Sequence, residues 1–223
     1  MVNRRSPLDS VVATTRGDDG TTGLLYGGDR ISKDDPRAEA YGTIDEAVAA
    51  LGLARANLGV KRRIGTLPPV LGGLGDLILR FQRELFVVGA ELATNPEAWD
   101  RLEDGRTRVS ASMVADVEAL LVEAEAAIVL PTEFVVPGET VTSAALELAR
   151  TILRRAERRV VALQGAGLVP GEHAIPYLNR LADLLWVLAR AAEGAESRRA
   201  TPARREPRPG PRSRVAGAGG ETR

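Results

Sequence analysis

The run LGGLGDLILRFQRELFVVGAEL, residues 71–92, decides the fold. Within it Leu71, Leu74, Ile78, Phe81, Leu85, Val88 and Leu92 recur at alternating steps of three and four residues. That spacing holds all these side chains on one stripe of an α-helix and makes a heptad seam for other helices. The run ends near Asn95-Pro96, where a residue without an N–H stops the helix. One apolar stripe cannot bury itself, so the chain must supply partner helices on either side of it.

Upstream, Asp34 or Asp35 can cap a helix with Pro36 in its first turn, and Ile44, Val48, Leu51 and Leu58 carry its apolar positions among alanines. Downstream, a third helix is predicted from Ser110 to Ala127 on Val114, Val117 and Leu121. A fourth starts after Pro137-Gly138, capped by Thr140 or Thr142, and reaches Leu163. A fifth covers Ile175 to Ala192, with Leu178, Leu181, Leu185 and Leu188 facing inward. Five long helices with short connections predict an all-α fold, a five-helix antiparallel bundle. Only Pro96 to Ser110, rich in charges, reads as a longer surface loop.

Composition agrees. Hydrophobic residues make up 44% of the 223, but aromatics only 4%, so the core must be aliphatic. Thirty basic and thirty acidic residues cancel, which leaves no global field for nucleic acid or membrane. Cysteine is absent, which excludes thiol nucleophiles, disulfides and thiolate metal sites and fits a reducing compartment. The one histidine, His173, cannot build a zinc site alone and reads as a surface or capping residue.

Residues 1–11 read as a flexible leader, with Arg4 and Arg5 but no apolar signal segment, and no stretch reaches membrane-spanning length. The chain therefore reads as cytoplasmic. Residues 12–193 form the domain, divided into a loop over 12–34 and the bundle over 35–193. Residues 194–223 are rich in Arg, Pro and Gly without apolar period, and are predicted to be disordered.

Three clusters stand outside the bundle pattern. The first is Gly17-Asp18-Asp19-Gly20-Thr21-Thr22-Gly23, followed by Gly27-Gly28, Arg30 and Lys33. Close glycines let backbone N–H groups converge on an anion, and hydroxyls and cations add donors. No Gly-Lys-Ser/Thr ends the segment, so it is not a Walker A loop, and a plain surface loop is the competing reading. The second cluster is Arg150, Arg154, Arg155, Glu157, Arg158 and Arg159. Arg150, Arg154, Glu157 and Arg158 share one helix face, with Leu148, Ile152, Ala156 and Val160 on another. A solvated charged face is the ordinary reading, but five arginines in ten residues repel one another unless an anion is present, and their planar donors suit polyphosphate. The third is Tyr177-Leu178-Asn179-Arg180-Leu181-Ala182-Asp183, where Asn179 and Asp183 lie one turn apart and could equally bridge neighbouring helices.

In this order the clusters resemble the PduO-type cob(I)alamin adenosyltransferases. The family's T-K/R-T-G-D-x-G-T-T-x-L is matched by Thr14-Thr15-Arg16-Gly17-Asp18-Asp19-Gly20-Thr21-Thr22-Gly23-Leu24, and its G-x-R, Lys and D-P-R by Gly28-Asp29-Arg30, Lys33 and Asp35-Pro36-Arg37. Tyr41-Gly42-Thr43-Ile44-Asp45-Glu46 matches Y-G-x-x-D-E, and Phe134-Val135-Val136-Pro137-Gly138 resembles the F-I/V-L-P-G-G segment. Residues 149–159 match A-R-T-x-x-R-R-A-E-R, and residues 177–183 match Y-L-N-R-L-S-D. Four departures stand out: Thr15 and Arg16 in reversed order, a Leu24–Gly28 stretch one residue longer, Glu139 in place of a second Gly, and Ala182 in place of Ser.

The resemblance implies a ferritin-like five-helix bundle, a homotrimer with ATP between subunits, and transfer of the 5′-deoxyadenosyl group from ATP to the cobalt of cob(I)alamin. Thr14, Thr15, Arg16, Gly17, Asp18, Gly20, Thr21, Thr22, Gly23 and Lys33 would hold ATP from one subunit. Arg154, Arg155, Ala156, Glu157, Arg158 and Asn179 would hold it from the next. Mg²⁺ would ride on the phosphates rather than on protein ligands. Asp45 and Arg150 would pair across the interface and shape the cobalamin side, where Phe134 would press on the lower corrin face. Arg154, Phe134, Asp45 and Arg150 are thus the implied catalytic group. A cobalamin reductase and an adenosylcobalamin-dependent mutase are the implied partners, with no nucleic acid or membrane. Two other classes compete: a non-catalytic nucleotide- or cobalamin-binding trimer acting as sensor or carrier, and a nucleic-acid binder using the Arg-rich tail, against which the neutral net charge speaks.

Overall fold

The computed structural model describes residue 10 and residues 12–203. Five helices dominate: α1 (Pro36–Arg63), α2 (Leu74–Ala93), α3 (Ala111–Ala126), α4 (Val141–Gly165) and α5 (Ala174–Ala195). Four two-residue strands make two small antiparallel ladders. β1 (Thr21–Thr22) pairs with β2 (Ile31–Ser32) just before the bundle. β3 (Val135–Val136) pairs with β4 (Thr201–Pro202) at the entry to α4.

Each helix starts where its sequence allows. Asp35 accepts the Arg37 N–H and Pro36 opens α1, whereas Ser110 accepts from Met113 to begin α3. Thr140 and Ser143 form a reciprocal capping box at α4, which decides between the two candidate caps. Thr142 is instead buried, donating to Asn57 Oδ1 at 2.8 Å. His173 precedes α5 without any side-chain capping bond.

All seven seam residues from Leu71 to Leu92 are buried, and each such aliphatic or aromatic side chain contributes roughly 1.5–3 kcal/mol. Helix α1 packs on α2 and α4, α4 also on α5, and α5 on α3. Arg159 meets Glu39, Arg155 meets Glu46, and Thr142 meets Asn57, so α1 and α4 run antiparallel. The loop before α1 therefore lies at the end of the molecule where α4 finishes, and Phe134 at the end where α4 begins.

Several expectations need correction. Leu71 belongs to a separate 3-10 turn (Pro69–Leu71), because Gly72 and Gly73 interrupt the helix before Leu74. Pro96–Arg101 is a 3-10 helix rather than loop, since Asn95, which marks the end of α2, also caps the next turn. On α4 the core stripe is Ala149, Leu153, Ala156 and Val160, while Leu148 is exposed. The tail expected to lack structure from Gly194 keeps helix to Ala195 and then forms β4, because two paired backbone segments need no apolar period. The rest of that tail, and the leader apart from Ser10, lie outside the described residues. Among the described residues no helix is long and apolar enough to cross a membrane.

Candidate functional site

The glycine-rich loop folds around one arginine. Arg30 donates from Nε to Thr21 Oγ1 at 2.6 Å and from Nη2 to the carbonyls of Arg16 and Thr21 at 2.8 and 2.9 Å. Asp19 accepts the Thr21 N–H at 2.9 Å and its hydroxyl at 2.8 Å, and those bonds hold its carboxyl below the usual range. Lys33 lies across Gly17 so closely that a Cβ there would come to 3.0 Å from its Cε and Nζ, so a side chain at this position would push the ammonium away from the rim. The result is an open basin of about 500 Å³ lined wholly by residues between 13 and 33. Every residue expected in the loop except Gly20 lines it, with Ala13 and Arg30 in addition.

The end of the loop is anchored to the bundle. Leu25 exchanges backbone hydrogen bonds with the end of α2, donating to the Ala93 carbonyl at 2.8 Å and accepting from Asn95 at 3.2 Å. Tyr26 then turns with a positive φ of 65°, and the Arg101 guanidinium stacks 4.1 Å from its ring centroid. Gly28 also has φ +84°, which strains any other residue, and a Cβ there would run into Asn95 Nδ2 and displace that side chain.

The arginines of α4 divide by face. Arg155 pairs with Glu46 of α1, and Arg159 pairs with Glu39 at 2.7 Å and reaches Thr43 Oγ1. Arg150 donates from Nε to Glu147 Oε2 at 2.6 Å. Arg154 and Arg158 are exposed, and among the described residues neither has a carboxylate partner. Arg158 donates only to the Arg154 carbonyl, at 3.0 Å. Glu157 accepts from Asn179 Nδ2 at 3.0 Å, joining α4 to α5, and Asn179 Oδ1 accepts from Arg180 at 2.7 Å. Ala156 is fully buried, and its side chain belongs to the core.

Arg150 and Arg154 line a hollow of about 240 Å³ with Glu125 of α3 and Asp183 and Trp186 of α5. Neither Glu125 nor Trp186 is flagged by any sequence motif. Behind Arg150 runs a buried chain that sequence reading also missed. Glu147 meets Arg190 Nη2 at 3.2 Å, and Arg190 meets Glu193 Oε1 at 2.9 Å. All three are buried, and desolvation pushes the Glu193 carboxyl up. The available signal is Arg190 and Glu193, three apart on an otherwise apolar stretch of α5. Tyr177 is likewise core: its hydroxyl donates to Glu84 Oε2 at 2.7 Å, and burial raises its pKa.

Two residues of the expected site remain. Asp45 is exposed on α1, beside the Glu46–Arg155 pair. Phe134 is 90% exposed at the entry to α4, with Arg154 thirteen residues into the helix, roughly 20 Å along its axis. One chain thus presents a cradle for an anion, a separate arginine hollow, and an exposed aromatic ring, on different parts of its surface.

The family model described as Cobalamin adenosyltransferase matches residues 12–192. A Corrinoid adenosyltransferase of Citrobacter freundii is 39% identical over 182 residues, covering 82% of this chain and 94% of that protein. Among solved structures, a variant PduO-type adenosyltransferase from Lactobacillus reuteri complexed with ATP superimposes with a TM-score of 0.73, at 25% identity over 86% of this chain and 100% of its own. A second variant of that enzyme, complexed with cobalamin and ATP, gives 0.71 at 26% identity, covering 86% and 98%.

Proposed function

This chain belongs to the cobalamin adenosyltransferase family, and from that premise we propose how its residues divide the work. The reaction is transfer of the 5′-deoxyadenosyl group from ATP to the cobalt of cob(I)alamin. The cobalt(I) electron pair forms the Co–C5′ bond, the C5′–O bond breaks, and triphosphate leaves with those electrons. No proton moves at the reacting carbon, so no general base is needed, which suits a chain without cysteine and with one histidine. What the leaving group demands is positive charge where the anion develops.

The observation that carries the division of labour is the split of α4. Arg154 and Arg158 face outward without a carboxylate partner among the described residues, while the loop basin is lined by its own residues alone. We assign the triphosphate to the basin of one subunit, under Lys33 and the Thr21–Gly23 backbone, with Arg154 and Arg158 of a neighbouring copy closing it. Asn179, Glu157 and Arg155 border that contact. A closed ring of three such copies, each giving its loop to one neighbour and its arginines to the other, leaves no cradle or arginine face unused.

Asp45 and Arg150 belong to the corrin side of the same contact, and Phe134 excludes water and the lower axial base from cobalt. Mg²⁺ is assigned to the nucleotide phosphates rather than to protein ligands. A reductase that delivers cobalt(I) and a mutase that consumes adenosylcobalamin are the partners this chemistry calls for. A carrier without turnover is not favoured, because the Citrobacter freundii relative similar along 94% of its length is an adenosyltransferase.

The test is anaerobic: protein, Mg-ATP and cob(I)alamin, followed for adenosylcobalamin and triphosphate. Both products are expected in equal amounts. Binding of ATP and corrinoid without either product would leave the carrier reading in its place.

A further inference from the structure

The segment after α5 reaches back to the loop that carries Phe134. Helix α5 ends in a Schellman arrangement: Ser197 N–H bonds to the Gly194 carbonyl at 3.0 Å and Arg198 N–H to the Glu193 carbonyl at 2.9 Å. Ser197 takes the left-handed conformation there, φ +57°, which a non-glycine residue adopts only when its surroundings hold it. This stop turns the chain back toward α4. Lys61, in the last turn of α1, pins the turn through Glu196 at 2.5 Å.

Three contacts then fasten the returning chain. Thr201–Pro202 pairs antiparallel with Val135–Val136. The Ala203 N–H donates to the Phe134 carbonyl at 2.7 Å. The Thr201 hydroxyl donates to the Glu139 carboxylate. Residues 196–203 lie beyond the 12–192 matched by the family model. Phe134 itself is 90% exposed, so packing does not fix its ring; its backbone is what the returning segment holds.

We propose that residues 196–203 form a strap that positions Phe134 against the corrin, with Ala203 and Thr201 as its positioning residues. The proposal rests on the assignment of Phe134 to the lower corrin face. A ring that must exclude an axial base from cobalt acts through placement, and an error of about an ångström in such a group costs up to 10²-fold. A strap made of backbone bonds supplies that placement without contributing any atom to the nucleotide basin.

The experiment compares the full chain with Ala203→Pro, which removes the N–H given to Phe134, and with deletion of residues 200–223. Ala203→Gly, which keeps the N–H, is the rescue control and Phe134→Ala the reference. Two quantities are read: amide exchange over residues 133–137, and the rate ratio between assays begun from cob(I)alamin and from cob(II)alamin with reduced flavin. Exchange should quicken in Ala203→Pro and in the deletion. Their cob(II)-started rate should fall about tenfold further than the cob(I)-started rate, as for a displaced positioning group. ATP affinity should not change, and Ala203→Gly should behave as the full chain.

Unchanged exchange would show that there is no strap. Faster exchange with an unaltered ratio, where Phe134→Ala does alter it, would show a strap that does not position the ring. If Phe134→Ala also leaves the ratio unaltered, the assignment of Phe134 is what has failed, and the strap's role in the reaction falls with it.

Discussion

Arg154 and Arg158 share a helix with Arg155 and Arg159, one residue away in each case, yet the two pairs have opposite surroundings. Arg155 and Arg159 point at α1 and find Glu46 and Glu39. Arg154 and Arg158 point away and find no carboxylate among the described residues. Arg150 is a third case, partly exposed at its hollow but tied from behind to a buried carboxylate. A run of like charges therefore has no single meaning. What each arginine can do depends on what the same chain places opposite its face, and Arg154 and Arg158 are the two left open to a ligand.

The comparison breaks hardest at Arg150. Glu147 is buried, and its removal would leave Arg190 with one carboxylate fewer in a desolvated site. Glu147→Ala is expected to lower stability by about 3 kcal/mol, the cost of breaking a buried ion pair from one side. Urea unfolding measures it. A loss under 1 kcal/mol, on the order of a surface pair, would mean that the Glu147–Arg190–Glu193 chain is solvated. Arg154→Ala is the opposite experiment. It should leave stability nearly unchanged and lower kcat by about 10²-fold, equivalent to ~2.7 kcal/mol of transition-state stabilisation. Thermal unfolding together with steady-state rates separates the two. Unaltered kcat and KM would remove Arg154 from the site.

The bundle was legible because burial is periodic. Seven residues at alternating steps from Leu71 to Leu92 are all buried, and Thr140 and Ser110 mark helix starts as their hydrogen-bonding chemistry requires. The loop was legible in composition but not in form. Nothing in Thr14–Lys33 foretells that Arg30 would organise it through three hydrogen bonds, since those depend on a tertiary path rather than on spacing. The buried Glu147 chain escaped notice for a related reason. Glu147 sits between Leu146 and Leu148, and only the position of α5 reveals that it faces inward while Leu148 faces out. The β3–β4 ladder leaves no pattern at all, because two residues per strand are too few for alternation to register. Ala156 is the converse case. A motif match gathers it with polar neighbours, while helix periodicity places its side chain in the Leu153–Val160 core stripe.

The smallest effect sharpens the comparison most, because it tests whether Arg159 is only structural. Its pair with Glu39 is partly open to water on both sides, with side-chain exposures of 34% and 51%, so solvent and salt screen it. A double-mutant cycle of Glu39→Ala and Arg159→Ala should give a coupling of about 0.5 kcal/mol, within the range of exposed pairs. The hydrogen bonds from Arg159 to Thr43 and to the Glu39 carbonyl raise the single Arg159→Ala value above that coupling, since they do not depend on the Glu39 carboxylate. Activity corrected for the folded fraction should stay within about twofold of the parent, the scatter that a change of a few tenths of a kcal/mol produces. A kcat loss approaching that of Arg154→Ala would collapse the distinction between the two faces. Arg159 would then be completing a neighbour's cradle as well as holding α1 to α4.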